Sequence, residues 1–337
     1  MVHTMSRVNG HIPTETAASD DSTTHLVIGG GVAGVSCARR LISGNLSVEL
    51  REVRKTPGGR MFAPHLHGRP VDLGASYFTA RYRDFSDIVA YWVKRGVARP
   101  WTDTFDAYAP GRPAEVSAGP MRYAAPAGLQ ALVQDLAEGL PIALGAPVTH
   151  VGPGPTADGR RYRAVVLAMP DAAAAEILDE SLTAERAAVT DITWDPVVAV
   201  AVGYRERCWP FANGTFVNDH PILSFVADDG ARRGDSAPVL VAHSTVSYAR
   251  SAAADPSTDP AGPMLAALAD LGVTGTPDWI HTHLWPHARP AGGRGNDPTY
   301  HLGDAMIGLC GDSWGSPRIE TAWSSGAALA TALLDRG

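Results

Sequence analysis

Lysine is nearly missing from this chain. Of 337 residues, only Lys55 and Lys94 carry an ammonium group, and every other fixed cation is arginine. Lys and Arg together number 28 against 35 Asp and Glu, a formal net charge of -7. That balance provides no broad phosphate-binding face and argues against nucleic acid as the main partner. Cysteine is as scarce. Cys37, Cys208 and Cys310 are odd in number and far apart, so neither a disulfide framework nor a CxxC metal site can be written. A reducing compartment, the cytoplasm, is the expected location. No apolar run approaches the ~20 residues of a bilayer span, so no membrane association is expected. The first 23 residues are polar and lack the apolar stretch of a secretory signal; they are read as a disordered tail. His281, His283 and His287 stand close together, but no Cys or carboxylate pair completes a ligand set, and no metal is expected.

What is present is an ordinary globular composition, with 45% hydrophobic and 19% charged residues. The length suits two domains. The frequency of Arg and Ala fits a GC-rich bacterial genome. The most informative stretch is HLVIGGGVAGVSCARRL, residues 25–41. A short apolar run suited to a buried parallel strand leads into Gly29-Gly30-Gly31-Val32-Ala33-Gly34. A helix is predicted over 35–43, stopped by Gly44-Asn45. This is G-x-G-x-x-G in a strand–turn–helix setting. Gly29 permits the tight turn, Gly31 lets a pyrophosphate approach the backbone, and Gly34 lets helix and strand pack closely. Free N–H groups at the helix start favour phosphate. A second strand, LSVELRE, ends on Glu52, where an acid can meet a ribose diol. An acid there repels a 2′-phosphate, favouring FAD or NAD over NADP. The plainer alternative is a solvated strand-end glutamate.

A second glycine turn decides between the two dinucleotides. Gly58-Gly59-Arg60-Met61 follows Glu52, and Arg60 can complement phosphate charge or a flavin edge. NAD dehydrogenases do not need this turn. The stretch VDLGASYFTARY then sets Asp72, Gly74, Ala75, Ser76 and Tyr77 beside one another, small residues next to aromatics, suited to a planar ring. There is one dinucleotide fingerprint and no internal repeat, so the substrate itself is expected to supply the hydride.

With GGGVAG, Glu52, GGRM, DLGASYFTAR, RYAAPAGLQALVQDLA, AVVLAMP, residues 283–285 and CGDSWGSPRIETAWSSGAALA, the sequence resembles the FAD-dependent amine-oxidase superfamily, most closely its short renalase-like bacterial branch. The resemblance runs from about residue 25 to the C-terminus. It implies an α/β fold, with a Rossmann-like FAD-binding domain interleaved with an antiparallel-sheet substrate domain. The implied division is 24–80, 125–172 and 299–337 for FAD, and 81–124 and 173–298 for substrate. It implies non-covalent FAD, hydride transfer to flavin N5 and reoxidation by O2. In relatives, the backbone at the position of Val148 pairs with adenine, in a strand expected here from GAPVTHV. The chain passes the cofactor at Ala168. Gly311-Asp312 ends a strand, with Asp312 on ribityl or ribose hydroxyls. Glu320, Ala322 and Trp323 open the last helix, whose N–H groups can face flavin O2. Tyr77, Trp285 and His287 are expected to wall the reacting face.

Three departures accompany the resemblance. Neither Lys55 nor Lys94 lies where many amine oxidases place a lysine near N5. The segment His283-Leu284-Trp285-Pro286-His287-Ala288 carries Leu284 and Pro286 where relatives have basic residues, which predicts poor binding of a phosphate-bearing dihydronicotinamide dinucleotide and favours a neutral or apolar substrate; Arg289 or Arg250 are the alternative anion partners. The connection between Val148 and Val165 is short. Loops are expected near 109–120, 151–160, 228–238, 251–263 and 289–298. The resulting expectation is an FAD-dependent oxidoreductase for a small molecule. A flavoenzyme catalysing isomerisation or cyclisation, and a catalytically idle flavin- or nucleotide-binding protein, are the alternatives. Oligomeric state is not legible.

Overall fold

A computed structural model of the chain describes residues 23–112, 115–255, 257, 259–292, 294 and 299–336. The expected tail lies outside these residues, apart from Thr23. Strand β1 (Thr24–Ile28) is buried at every position, as its apolar sequence demands of a strand covered on both faces. It lies centrally in a six-stranded sheet. The order is β12 (His301–Leu302), β13 (Ile307–Leu309), β6 (Ala164–Leu167), β1, β2 (Ser47–Glu52) and β5 (Ile142–Leu144). All neighbours pair parallel except β12 with β13. Helices α1 (Val32–Ser43), α3 (Leu129–Ala137) and α7 (Ile319–Asp335) share its core through Leu41, Leu132 and Leu329. Helix α2 (Arg83–Lys94) joins the same core through Phe85, Val89 and Trp92, although the sequence division puts it with the substrate segments.

A second, seven-stranded sheet runs β11 (Trp279–Ala291), β7 (Thr193–Gly203), β10 (Val239–Ser244), β9 (Leu223–Asp228), β8 (Gly214–Val217), β3 (Arg99–Tyr108) and β4 (Glu115–Ala124). It is antiparallel except where β8 meets β3. Alternation along β7 and β10 sends Val198, Val200 and Leu240 to one face, under α5 (Val246–Ala254) and α6 (Ala261–Asp270). Ala199, Ala201 and Val241 face the other way, against Val71 and Leu73 of the first lobe.

Several expectations change. Residues 115–124 are a strand, not a loop, and 229–233 form a short helix, α4 (Asp229–Arg233). Residues 151–161 form a small three-stranded sheet, and Val148 precedes it in irregular backbone rather than in a strand. Helix α1 begins three residues earlier than predicted, inside the glycine motif. Strand β11 continues through Pro286 to Ala291 because it is an edge strand and bulges against β7 there. Of the expected 289–298 loop, residues 293 and 295–298 lie outside the described residues.

The two lobes meet through a buried ionic bridge. Arg233 donates from Nη2 to Asp72 Oδ2 (3.0 Å) and from Nε to Asp229 Oδ2 (3.0 Å). Arg232 pairs with Asp229, and Arg69 Nη1 reaches Asp229 Oδ2 at 2.6 Å. Asp72 Oδ1 also accepts the Leu129 N–H, closing the start of α3. Four of these residues are nearly fully buried charges, tolerable only because each is paired.

Candidate cofactor and substrate site

The glycine motif lies between β1 and α1. Gly29 has φ +109, and a Cβ there would meet Ala168 O at 2.5 Å. Gly34 is locked the same way: its Cβ would stand 2.0 Å from Gly29 O. Gly31 is different. Its backbone is ordinary, φ -78 and ψ 177, and a Cβ there meets only Gly59 Cα, at 3.9 Å. Nothing in the protein's own backbone or packing therefore requires glycine there. What glycine leaves at Gly31 is room, at the start of a twelve-residue helix that has no side-chain cap and no acid in its first turn. That is the environment a pyrophosphate requires.

Val32 and Ala33 are buried in the first turn of α1. Glu52 is buried, and its Oε2 accepts from Gly30 N at 2.6 Å and its Oε1 from Arg54 N at 2.8 Å. The carboxylate is thus held against the glycine turn rather than solvated. The second turn touches the first: Gly58 N donates to Gly30 O (2.9 Å), and Met61 N closes back on Gly58 O (3.0 Å). Gln130, which sequence reasoning did not single out, props this turn by donating to Thr56 Oγ1 and Pro57 O and accepting from Ala63 N. Ala75 N donates to Arg60 O at 3.0 Å, packing 72–77 on the same turn.

Arg60 and Asp312 meet in a two-bond pair, at 2.9 and 2.5 Å. Arg60 also donates to Ala288 O and lies over the Trp194 ring. Burial works against its charge, but Asp312 raises its pKa above the ordinary value. Gly311 N donates to Ser325 Oγ, joining this turn to α7. Glu320 Oε1 accepts from Arg81 N (2.8 Å) and Tyr82 N (2.7 Å), so it anchors the start of α2. Ala322 is buried, and Trp323 O accepts from Ser36 Oγ of α1 (2.8 Å). A Cβ on Gly326 would stand 2.0 Å from Ala33 O, so the two helices cross at backbone contact.

The three aromatic candidates lie in different surroundings rather than in one contact set. Tyr77 belongs to an aromatic cluster with Trp101, Phe105 and Phe225. Trp285 donates from Nε1 to Leu73 O (2.9 Å) and stacks edge-on with His283, their centroids 4.4 Å apart. His287 faces Trp194 beside an open cavity of about 590 Å³ that Arg250 and Pro286 also line. Arg250 and Arg289 both pair with Asp195 (2.9 and 3.7 Å). Lys55 and Lys94 are exposed. Among the described residues no group of three His, Cys, Asp or Glu could hold a metal, and no helix is long and apolar enough to cross a membrane.

Residues 112–334 match the flavin containing amine oxidoreductase family, and residues 27–92 match an NAD(P)-binding Rossmann-like domain. Polyamine oxidase 5 of Oryza sativa subsp. japonica is 42% identical over 52 residues, 15% of this chain and 11% of that protein. The aligned part is thus a small share of the relative's length. In fold, the chain is similar to cyclohexylamine oxidase from Brevibacterium oxydans (TM-score 0.77, 13% identity, 94% of this chain and 99% of that one). It is also similar to a wild-type putrescine oxidase bound to putrescine (TM-score 0.70, 14% identity, 94% and 99%). The space left at Gly31 has room for a pyrophosphate, and the family match covers well over half of the sequence. The chain therefore belongs to the flavin containing amine oxidoreductase family, a family of flavoenzymes, with FAD as its cofactor.

Proposed function

We propose that this chain is an FAD-dependent oxidoreductase of the short renalase-like branch, acting on a small organic molecule in the bacterial cytoplasm. Bound FAD would supply the hydride acceptor, N5, and the electrons that O2 takes up. The chain's own residues bind, orient and keep water out. Gly29, Gly31 and Gly34 with the start of α1 hold the pyrophosphate. Glu52 takes the ribose, and the backbone at Val148 the adenine. Gly59, Arg60, Met61 and Ala75 border the flavin, with Ala168 where the chain passes it. Gly311 and the paired Asp312 meet the ribityl side. The start of α7, from Glu320 to Trp323, presents N–H groups to the flavin's pyrimidine edge.

The segments of the six-stranded sheet serve the cofactor, and those of the seven-stranded sheet serve the substrate. Tyr77, Trp285 and His287 wall the substrate side. No described lysine stands in that wall, so a lysine-assisted proton transfer does not belong to this site.

The observation that carries the reading is Gly31: an unhindered glycine, with no backbone reason to be glycine, at an uncapped helix start. Its test is anaerobic mixing of the purified protein with a panel of small amines, alcohols and acids. Bleaching of the flavin absorbance by one of them, with hydrogen peroxide released on re-aeration, is the expected outcome. Substrate conversion with neither bleaching nor peroxide would replace this reading by isomerisation or cyclisation.

A further inference from the structure

Arg122 on β4 is a buried cation without a counter-ion. The residue is 5% exposed. Among the described residues no carboxylate forms an ion pair with it, and its Nη1 is buried without a hydrogen-bond partner. The contrast with Arg232 and Arg233 is direct, since both are buried on Asp72 and Asp229. Arg122 instead sits in a box of rings. Its guanidinium carbon lies 4.0 Å from the Phe105 ring centre, 5.6 Å from Tyr77 and 5.8 Å from Phe216. Ring faces attract a cation, but far more weakly than water solvates one, so they do not offset its burial.

Other donors around the same rings are also orphaned. Trp101, whose ring lies 5.0 Å from Phe105 and 6.3 Å from Tyr77, has a buried Nε1 with no partner. So has Ser76, next to Tyr77, at Oγ. A guanidinium and an indole can only donate. A buried cluster of rings that holds unpaired donors and an uncompensated guanidinium is complementary to an acceptor-only head on an apolar body. It is wrongly charged for an ammonium head.

We propose that Arg122 is a specificity-determining residue for the substrate, and that it pairs with a carboxylate carried on an apolar or aromatic body that enters among these rings. This rests on the flavoenzyme reading of the site. It replaces the expectation of a neutral substrate drawn from Leu284 and Pro286 with that of a small anion on an apolar body. Those positions lie on β11, at the opposite edge of the sheet from β4, and Arg122 provides one charge for one small anion rather than several for a dinucleotide.

The experiment is a titration of the purified holoprotein with benzoate, with benzylamine and phenylphosphonate as counter-probes, read from the flavin absorbance spectrum and from thermal melting. Benzoate is expected to perturb the spectrum saturably and raise the melting temperature, with benzylamine and phenylphosphonate weaker. Arg122→Gln is expected to weaken benzoate about thirtyfold, while flavin content stays as in the parent. Arg122→Lys is expected to restore part of the loss. Benzoate failing to bind the parent protein overturns the proposal, as does unchanged affinity in Arg122→Gln. Flavin lost from a folded Arg122→Gln also overturns it, because Arg122 would then belong to the cofactor. Should that variant not fold, the parent's preference for benzoate over benzylamine decides. A parent protein that purifies without flavin defeats the functional reading instead, and benzoate-dependent melting then decides this proposal alone.

Discussion

Arg60 and Asp312, 252 residues apart in sequence, face each other fork to fork, with both Asp312 carboxylate oxygens accepting from the Arg60 guanidinium. The pair clips the second glycine turn to the turn after β13. It also orients the carboxylate assigned to the ribityl hydroxyls. A double-mutant cycle of Arg60→Met and Asp312→Ala is expected to give a coupling of about 1–2 kcal/mol in urea unfolding. Each single variant should also hold less FAD, read as the ratio of flavin to protein absorbance. Coupling near zero would make the pair incidental.

Gly31 and Gly34 should behave oppositely when enlarged. Gly31→Leu meets no backbone obstacle, so the protein should fold with a normal circular dichroism spectrum and purify colourless. Gly34→Ala drives a Cβ into Gly29 O and should destabilise the fold itself, by about 2 kcal/mol or more. A fully yellow Gly31→Leu protein would show that the first glycine turn does not hold the cofactor.

The flavin should leave on acid precipitation. Cys37 and Cys310 are buried thiols, and burial pushes Cys310 up to about 12, far from the thiolate that a thioether link to flavin would need. All yellow colour is expected in the supernatant. Colour retained in the pellet would reveal a covalent bond.

Stability should decline on mild acidification. Burial, aided by the charge of Arg232, pushes His243 down to about 4, against an opposing hydrogen bond at the Leu73 backbone. An unfolded histidine takes its proton near 6.5. The unfolded chain therefore binds the proton first as pH falls, and the native state loses stability between about 6.5 and 4, with no loss above that window. His25, His283 and His301, also lowered by burial, act in the same direction. Urea midpoints at about pH 7, 5.5 and 4.5 should fall in that order, and His243→Gln should flatten the trend.

How much of this was legible in the residues depended on whether the cause was local. Strand β1, the glycine turn and Glu52 were readable because an apolar run, a turn and a strand end each follow from adjacent residues. So were α7 and the strands of the second sheet that carry unbroken apolar runs. Strand β4 was not. EVSAGPMRYA carries Gly and Pro and reads as a loop, and only its pairing with β3 makes it a strand. The same sequence hides Arg122, whose burial is decided by rings on β3, on β8 and at Tyr77. The bridge of Asp72 to Arg232 and Arg233 was equally hidden: DDGARRG has the composition of a surface turn, and it enters the interior only because a carboxylate from another lobe meets it. Pro286 is tolerated inside β11 because that strand lies at the sheet edge and bulges there.

The strand order of the first sheet has a consequence during synthesis. β1 and β2 emerge early, but the other side of β1 is covered only by β6, near residue 164, and β6 in turn only by β13, near residue 307. The glycine turn then acquires its helix neighbour when α7 crosses α1, with Gly326 against Ala33. Until β13 has left the ribosome, the nascent chain carries an apolar parallel edge with nothing to pair it. Such non-local pairing makes folding slow. The glycine turn is complete for cofactor capture only once β13 and α7 have been made.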